Sequence, residues 1–503
     1  MLIDDIISKF DGNSPRSYYS FETFILKLLQ YHIEEQKKKF ITDREVRTLY
    51  DAYAPEGFDN FGPTYFEVKF DLNRLPTSHL IERVIRRKPN MFASDEVEHL
   101  ILITAKPLLN KRKNYIDEKL ENLPFKVTIW EPQDINSIVN KHRKVANKIA
   151  NNLFALRLES SISNIDLNWK EERDSRLTQL NNCYRKGQFS LFLGAGVSSS
   201  AGMPNWNRLL NSLFVTYLTN EFNDNSNISD NDINEIVSRL NQIDDSSALM
   251  AARYLRKGLS KTAEDAKDFT NAITKSLYKL RDTKYPIDSE LIKSIGSLCT
   301  PKMTGSKVKS VITYNFDDLI ERQLKNRSLD FHSIYGDSET YDRDELPIYH
   351  VHGFIPEDNT QYERLENSTL VFSEEGYHQI YMESYHWSNL VQLNSLKENN
   401  CLMIGLSMSD PNLRRLLDIA SRNTEKTRHF AFMQRISDNN FIFEKDWETK
   451  KEVQKIANVE GAKEFLNKHH VLNEEIMKEL GVSIIWYEDY DEIPVLLNKI
   501  KEN

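Results

Sequence analysis

Cysteine is almost missing from this chain, with 3 among 503 residues, at Cys183, Cys299 and Cys401. Thiols so far apart fit neither a metal-ligand spacing nor a disulfide framework, so a cysteine zinc module is excluded and zinc is not expected. The acidic start, Met1-Leu2-Ile3-Asp4-Asp5, lacks the basic-then-apolar pattern of a secretory leader, and together with the sparse thiols it points to a reducing cytoplasm. Long hydrophobic runs are missing too. No stretch approaches the roughly 18 apolar residues of a spanning helix, so no membrane role is expected. Internal repeats, low-complexity tracts and coiled-coil heptads are absent, which excludes solenoids and long coils.

What is present suffices for several cores. The length suggests about three domains on the usual prior, and 40% of the residues are hydrophobic. Charge is unevenly spread: residues 1–150 carry 24 basic against 22 acidic side chains, and residues 151–503 carry 42 against 53. The basic groups Arg83, Arg86, Arg87 and Lys88, and Lys111, Arg112 and Lys113, could meet DNA or RNA, although such runs also describe solvated helix faces.

Four segments each end an apolar, strand-like run in a polar cluster. Phe189 to Leu193 runs into Gly194-Ala195-Gly196-Val197-Ser198. Val308 to Ile312 leads to Thr313-Tyr314-Asn315-Phe316-Asp317. Ile348 to Val351 leads to His352-Gly353, and Cys401 to Ile404 leads to Gly405-Leu406-Ser407 with Asp410 beyond. In a doubly wound α/β sheet, ligands sit outside the carboxyl ends of parallel strands, where these clusters would converge. Gly194 and Gly196 could adopt positive φ and bring their N–H groups to a pyrophosphate, with Ser198 adding a donor.

In this order, and with Gly202-Met203-Pro204 after the first turn, the motifs over residues 180–500 resemble the sirtuin-like NAD-consuming domains. The resemblance implies a Rossmann-like fold binding NAD+ through Gly194, Ala195, Gly196, Ser198, Pro204, Trp206, Thr313, Asp317, Gly405, Ser407 and Asp410. Sirtuin deacylases carry Asp-Phe-Arg where this chain has Asn205-Trp206-Asn207, and a Gln where it has Tyr314. Their four-cysteine zinc module is replaced here by a stretch of helical periodicity over residues 207–300. The variant is similar to the sirtuin-like NAD hydrolases of bacterial antiphage defence, which implies NAD+ as substrate and abortive depletion of the host's NAD+.

Cleaving the nicotinamide–ribose bond passes through an oxocarbenium-like state, so the site needs groups that orient water and bind ribose hydroxyls. Asn315 suits the first task and His352 a base or hydrogen-bond role at the hydroxyls, with Asp317 and Ser407 holding ribose or phosphate. Trp206 and Phe354 could wall the nicotinamide pocket or be plain core.

A second pattern lies near the start. Phe66, Val68 and Phe70 alternate with Glu67 and Lys69, so on a strand the two charged residues share a face, and Asp59 precedes them across a Gly-Pro turn. This resembles the PD-(D/E)xK restriction-endonuclease-like fold in its Mrr-type form. The resemblance implies Mg2+ held by Asp59 and Glu67, Lys69 positioning water, and Glu22 on the preceding helix as a third carboxylate. An ordinary strand with a wet face shows the same alternation.

The expected architecture is therefore α/β throughout: a nuclease-like domain over residues 1–150, a linker and lead helix over 151–178, and a sirtuin-like NAD-binding domain over 179–503 with the helical insert at 207–300. Continuous helices are expected over 141–158 and 169–185, polar loops at 223–232 and 335–343, and a closing strand and helix after Val482. Two functions fit, beside a third reading in which both domains are binding modules of a larger assembly. One is an NAD+ hydrolase released by a phage-derived trigger or a co-encoded partner, through homo-oligomerisation, with the nuclease-like domain cutting or sensing nucleic acid. The other is a nuclease whose sirtuin-like domain binds NAD+ or an ADP-ribose derivative only as a regulator.

Overall fold

The computed structural model describes Ile3, Ile7 and residues 14–42, 50–73, 99–120, 125–163, 169–205, 208–209, 273–274, 277–303, 305–337, 340–365, 368, 370–371, 383, 385–422, 424, 426–445 and 451–502. Trp206, the basic group at 83–88, the loop at 223–232 and most of the stretch at 207–300 lie outside the described residues. The chain forms two compact units, Met1–Leu167 with Ala420–Thr427 and Ser437–Val482, and Asn168–Ile419 with Arg428–Ile436 and Ser483–Asn503.

In the first unit, helix α1 (Pro15–Glu35) starts where Ser14 accepts a hydrogen bond from Ser17 N at 3.3 Å and Pro15 occupies the first turn. Its apolar residues recur at helical spacing, so Tyr18, Phe21, Phe24, Ile25, Leu28, Leu29 and Ile33 form one buried stripe. That stripe belongs to one core with Phe66, Val68, Phe70, Ile101 and Ile103, and burying each such side chain contributes about 1.5–3 kcal/mol. The sheet beneath runs β1 (Ile41–Thr42), β2 (Ala52–Ala54), β3 (Thr64–Lys69), β4 (His99–Thr104), β5 (Lys126–Trp130) in that order. β1, β2 and β3 pair antiparallel, whereas β3, β4 and β5 run parallel.

Two expectations change here. The face of β3 that carries Glu67 and Lys69 is not wet: every residue of the strand is buried, because Tyr50, Tyr65, Leu72, Leu100, Leu102, Ile116 and Phe125 build a second, smaller core on that side. The helix expected over 141–158 is divided: after α2 (Asn110–Leu120) and α3 (Pro132–Lys141) come α4 (Arg143–Asn151) and α5 (Leu153–Ser163), with breaks at His142 and Asn152. Arg157 on α5 reaches Glu475 at 2.7 Å and Glu479 at 2.6 Å, so a late 21-residue helix, Val459–Glu479, packs in this unit. The assignment of all of 179–503 to one domain therefore differs from the compact units at Ser437–Val482.

The second unit is a doubly wound sheet. After α6 (Trp169–Lys186), its strands are β6 (Phe189–Leu193), β7 (Val308–Thr313), β8 (Phe331–Ile334), β9 (Leu346–His350), β10 (Asn400–Ile404), β11 (His429–Gln434) and β14 (Val482–Tyr487); the short pair β12 (Phe443–Lys445) and β13 (Glu452–Gln454) belongs to the first unit. They lie in the order β14-β11-β10-β6-β7-β9-β8. β10 pairs parallel with β11 and β6, β7 pairs parallel with β6 and β9, and β8 pairs parallel with β9. From β6 the chain lays down β7 on one side, then the edge strand β8, and comes back to insert β9 between them, before building β10, β11 and β14 on the other side. The order reverses between β6 and β10, which places the binding crevice of such folds at their carboxyl ends.

Candidate active site at the strand ends of the second unit

The turn after β6 is glycine-rich for a different reason from the one expected. Gly194 is extended, with φ −119° and ψ −178°, and Gly196 lies in the short helix Ala195–Ser199, so neither needs positive φ. Both lack a side chain because the β10 turn presses on them. A Cβ on Gly194 would stand 2.5 Å from Gly405 O, and one on Gly196 would stand 2.7 Å from Gly405 Cα. Gly405 itself takes φ +68°, and a Cβ there would stand 2.6 Å from Val197 N. The two turns are also bonded, Gly194 N to Ile404 O at 2.9 Å and Gly196 N to Gly405 O at 3.0 Å. The Gly196 N–H is thus spent on protein rather than offered to a pyrophosphate.

The other two strand ends close on this pair. Tyr314 N donates to Leu193 O at 2.9 Å, and the Asn315 amide donates to Gly194 O at 3.0 Å. Asn315 N donates to Thr313 Oγ1 at 3.1 Å, which fixes the bend after β7. Val351 N donates to Thr313 O at 3.1 Å, bringing in the end of β9. Asp317, buried, accepts from Leu319 N at 3.3 Å, and burial raises its carboxyl from 3.8 to about 6, with Ser198 opposing that rise. The Ser198 hydroxyl lies beside Asp317, and the buried Tyr490 hydroxyl, 2.6 Å from the Cβ position of Gly196, has no hydrogen-bond partner among the described residues. A buried polar group is normally satisfied, so the Tyr490 hydroxyl beside the glycine turn fits a polar ligand.

His352 packs edge-on to the Tyr314 ring, centroids 4.7 Å apart. Desolvation by the atoms around it lowers its imidazole to about 4 against the opposing pull of Asp410, so it is neutral at pH 7. Tyr314, standing where deacylases have Gln, donates to Gln392. Asp410 caps the helix Pro411–Ser421 through Leu413 N at 2.7 Å, and Ser407 is exposed and shares a hydrogen bond with Ser409 at 2.6 Å. Pro204 follows Gly202, whose φ of +82° and close approach to Asp282 O admit no side chain, while Asn205 accepts from Arg208 N at 2.9 Å and opens the next helix. Phe354 is buried against Tyr335, His350 and Tyr362.

The sequence reading missed His350. It is fully enclosed, with Nε2 2.6 Å from Glu321 Oε1 and Nδ1 3.2 Å from Asn315 O, while Ser333 donates to the same Glu321 oxygen at 3.0 Å. A backbone oxygen faces one ring nitrogen and a carboxyl oxygen the other, so the His350–Glu321 pair must hold two protons between them. The pair anchors the Asn315 backbone. A histidine ending an apolar strand, two positions before His352, was the available signal.

In the first unit the expected metal pair is not brought together. Asp59, at φ +44°, is held by His32 at 2.9 Å and by Gln36 at 2.9 Å in the turn of the β2–β3 hairpin. Glu67 sits three positions into β3, where the register sets Ala52 opposite Phe66, so the carboxylate beside it is Asp51. Asp51 Oδ2 accepts from Val68 N at 2.6 Å, and burial followed by the Glu67 charge raises its carboxyl from 3.8 to about 7. Glu67 pairs with Lys69, both buried, and Tyr18 donates to Glu22 at 3.0 Å and to Val68 O at 3.3 Å. The assembled set is Glu22, Asp51, Glu67 and Lys69, with Asp51 in the place given to Asp59.

A family model described as a SIR2-like domain matches residues 309–456, from β7 onward. A SIR2-like domain points to NAD-dependent activity. The match begins beyond the Gly194–Gly196 turn, which the hydrogen bonds from Asn315 and to Gly405 tie to the matched segment. No curated protein matches the chain. Among the described residues no helix is long and apolar enough to cross a membrane.

Proposed function

We propose that the second unit is an NAD+ hydrolase. The carrying observation is the Asn315 amide bonded to Gly194 O at the interlocked Gly194–Gly405 turns, which supports a site there with Asp317 beside Ser198 and His352 against Tyr314. In this reading the dinucleotide lies along the ends of β6 and β10, with Ser198, Asp317, Thr313 and Ser407 toward its phosphates and riboses. Asn315, fixed by Gly194 O and His350, directs its amide oxygen at the attacking water. The new bond joins the water oxygen to the anomeric carbon as the bond to nicotinamide breaks, and the water's proton leaves through His352, which is neutral at pH 7 and so able to accept it. Carbon–nitrogen cleavage leaves a neutral nicotinamide, so no acid is needed on that side.

Such an activity would exhaust a cell's NAD+ and would be held in check until needed. That fits an abortive antiphage role in the cytoplasm, with a phage-derived trigger or co-encoded partner stabilising a competent homo-oligomer. The test is nicotinamide release from NAD+ by the purified chain, alone and with phage lysate. Asn315→Ala and His352→Ala each reduce turnover by at least 100-fold while the fold, read by circular dichroism, stays intact. Wild-type turnover in both variants would end this reading.

A second reading keeps NAD+ as a regulator of a nuclease in the first unit. It is favoured by the buried cluster of Asp51, Glu67 and Lys69, a charge set that costs stability and suits Mg2+ at a scissile phosphate of DNA or RNA.

A further inference from the structure

His32 and His142 are distant in sequence and meet in the first unit. His32 lies in the last turn of α1, and His142 is the single residue between α3 and α4. The His32 Nδ1 and His142 Nε2 atoms are 2.9 Å apart, and both side chains are buried, at 2% and 7% exposure. Glu35, one turn after His32 on the same helix, brings Oε2 to 3.7 Å from His142 Nε2. The three ligand atoms all lie within 4.8 Å of one another. On the far side of the His32 ring, Nε2 is 2.9 Å from the Asp59 carboxylate.

An acidic acceptor on Nε2 selects the tautomer with its proton there, which leaves the Nδ1 lone pair pointing at His142. Histidine backed by a carboxylate is the usual way of fixing a metal-ligating imidazole. Around a tetrahedral ion with bonds of about 2.0–2.1 Å, ligand atoms stand about 3.3 Å apart. Rotation of the half-exposed Glu35 brings its 3.7 Å to that value, and a shift of the two rings by a few tenths of an ångström opens the 2.9 Å between their nitrogens to it.

We propose that His32, His142 and Glu35 form a binding site for a zinc-class divalent cation, with Asp59 holding His32 in its ligating tautomer and water filling the position open to solvent. Two imidazoles and one carboxylate suit zinc and its late first-row neighbours and disfavour Mg2+ and Ca2+, which prefer all-oxygen shells. The site is separate from the Asp51–Glu67 cluster, and Lys141, 3.9 Å from Glu35, is the cation that the metal would displace.

The experiment is equilibrium titration of the chelator-stripped full-length chain with Zn2+ and Co2+, read by calorimetry, by metal analysis after dialysis and by the visible spectrum of the Co2+ form. The expected result is one ion per chain, a tetrahedral Co2+ spectrum, and no competition from millimolar Mg2+. Glu35→Gln, at a half-exposed position that cannot unfold the protein, and His142→Gln each weaken binding at least 100-fold. Asp59→Asn weakens it 10–100-fold, and Asp51→Asn leaves it unchanged. Substoichiometric zinc in the wild type, wild-type affinity in Glu35→Gln and His142→Gln, or loss of the ion in Asp51→Asn alone would each overturn the assignment.

Discussion

The two units place their polar residues differently with respect to the sheet. In the second unit they stand past the carboxyl ends of parallel strands, and the strands themselves stay apolar: β6 is Phe-Ser-Leu-Phe-Leu and β10 ends Leu-Met-Ile. In the first unit the charges sit inside the sheet, with Glu67 and Lys69 within β3 and Asp51 opposite them across the hairpin. Polar groups at a strand end can keep water or a ligand as partners, so the fold tolerates them cheaply. Charges within a covered strand must satisfy one another, which makes their balance a condition of folding as well as of any chemistry.

The sharpest way to break this contrast is to unbalance β3. Glu67→Gln leaves the Lys69 ammonium buried without its carboxylate and should destabilise the protein by about 3–5 kcal/mol, whereas Glu67→Gln with Lys69→Met should recover most of the loss. Denaturant unfolding read by tryptophan fluorescence decides it. Equal stability of the single variant and the wild type would show that the pair is solvated after all.

A smaller effect is expected where the two turns of the second unit interlock. Gly405→Ala must hold a Cβ at φ +68° and 2.6 Å from Val197 N, which should cost about 2–4 kcal/mol and disturb NAD+ turnover as well. Gly305→Ala is the control: its φ of +91° strains any side chain, but nothing lies within 4 Å, so it should cost only about 1 kcal/mol and leave turnover alone. If the two variants melt together, close approach is not what the Gly405 position requires.

The same contrast explains what could be seen in the sequence. The strand-end clusters were legible because an apolar run and its polar terminus are contiguous: β6, β7, β10 and β14 fall within a residue or two of their expected limits, and Asn315 does reach Gly194. The reason for the glycines was not, since Gly405 meets Gly194 only through a parallel pairing of strands over 200 residues apart. In the first unit the strand bearing Glu67 and Lys69 was found, yet its partner was misread. Asp59 is nearer in sequence, but strand register, not sequence distance, selects the opposite residue, and that is Asp51. His32 and His142 could not be paired from spacing at all, because 110 residues separate them and neither belongs to a motif. The expectation that zinc is absent rested on thiols, which have a sequence spacing that histidines gathered from separate elements lack.

Which aspartate faces Glu67 can be decided without any activity. Burial and the Glu67 charge raise the Asp51 carboxyl to about 7 from 3.8 in the unfolded chain. The folded protein therefore holds that proton more tightly than the unfolded one. Its contribution is fully present below about pH 4 and is lost as pH rises toward 7, beyond which stability no longer falls on this account. Asp51→Asn should flatten that decline and make the variant more stable than the wild type at pH 7 relative to pH 4. Asp59 stands in the hairpin turn, bonded to His32 and Gln36 rather than placed beside Glu67, so Asp59→Asn should leave the decline between pH 4 and 7 in place. Unfolding free energies at half-unit intervals from pH 4 to 8 measure both. A flattened profile in Asp59→Asn, with Asp51→Asn parallel to the wild type, would return the carboxylate beside Glu67 to position 59 and undo the register argument on which the first unit's cluster depends.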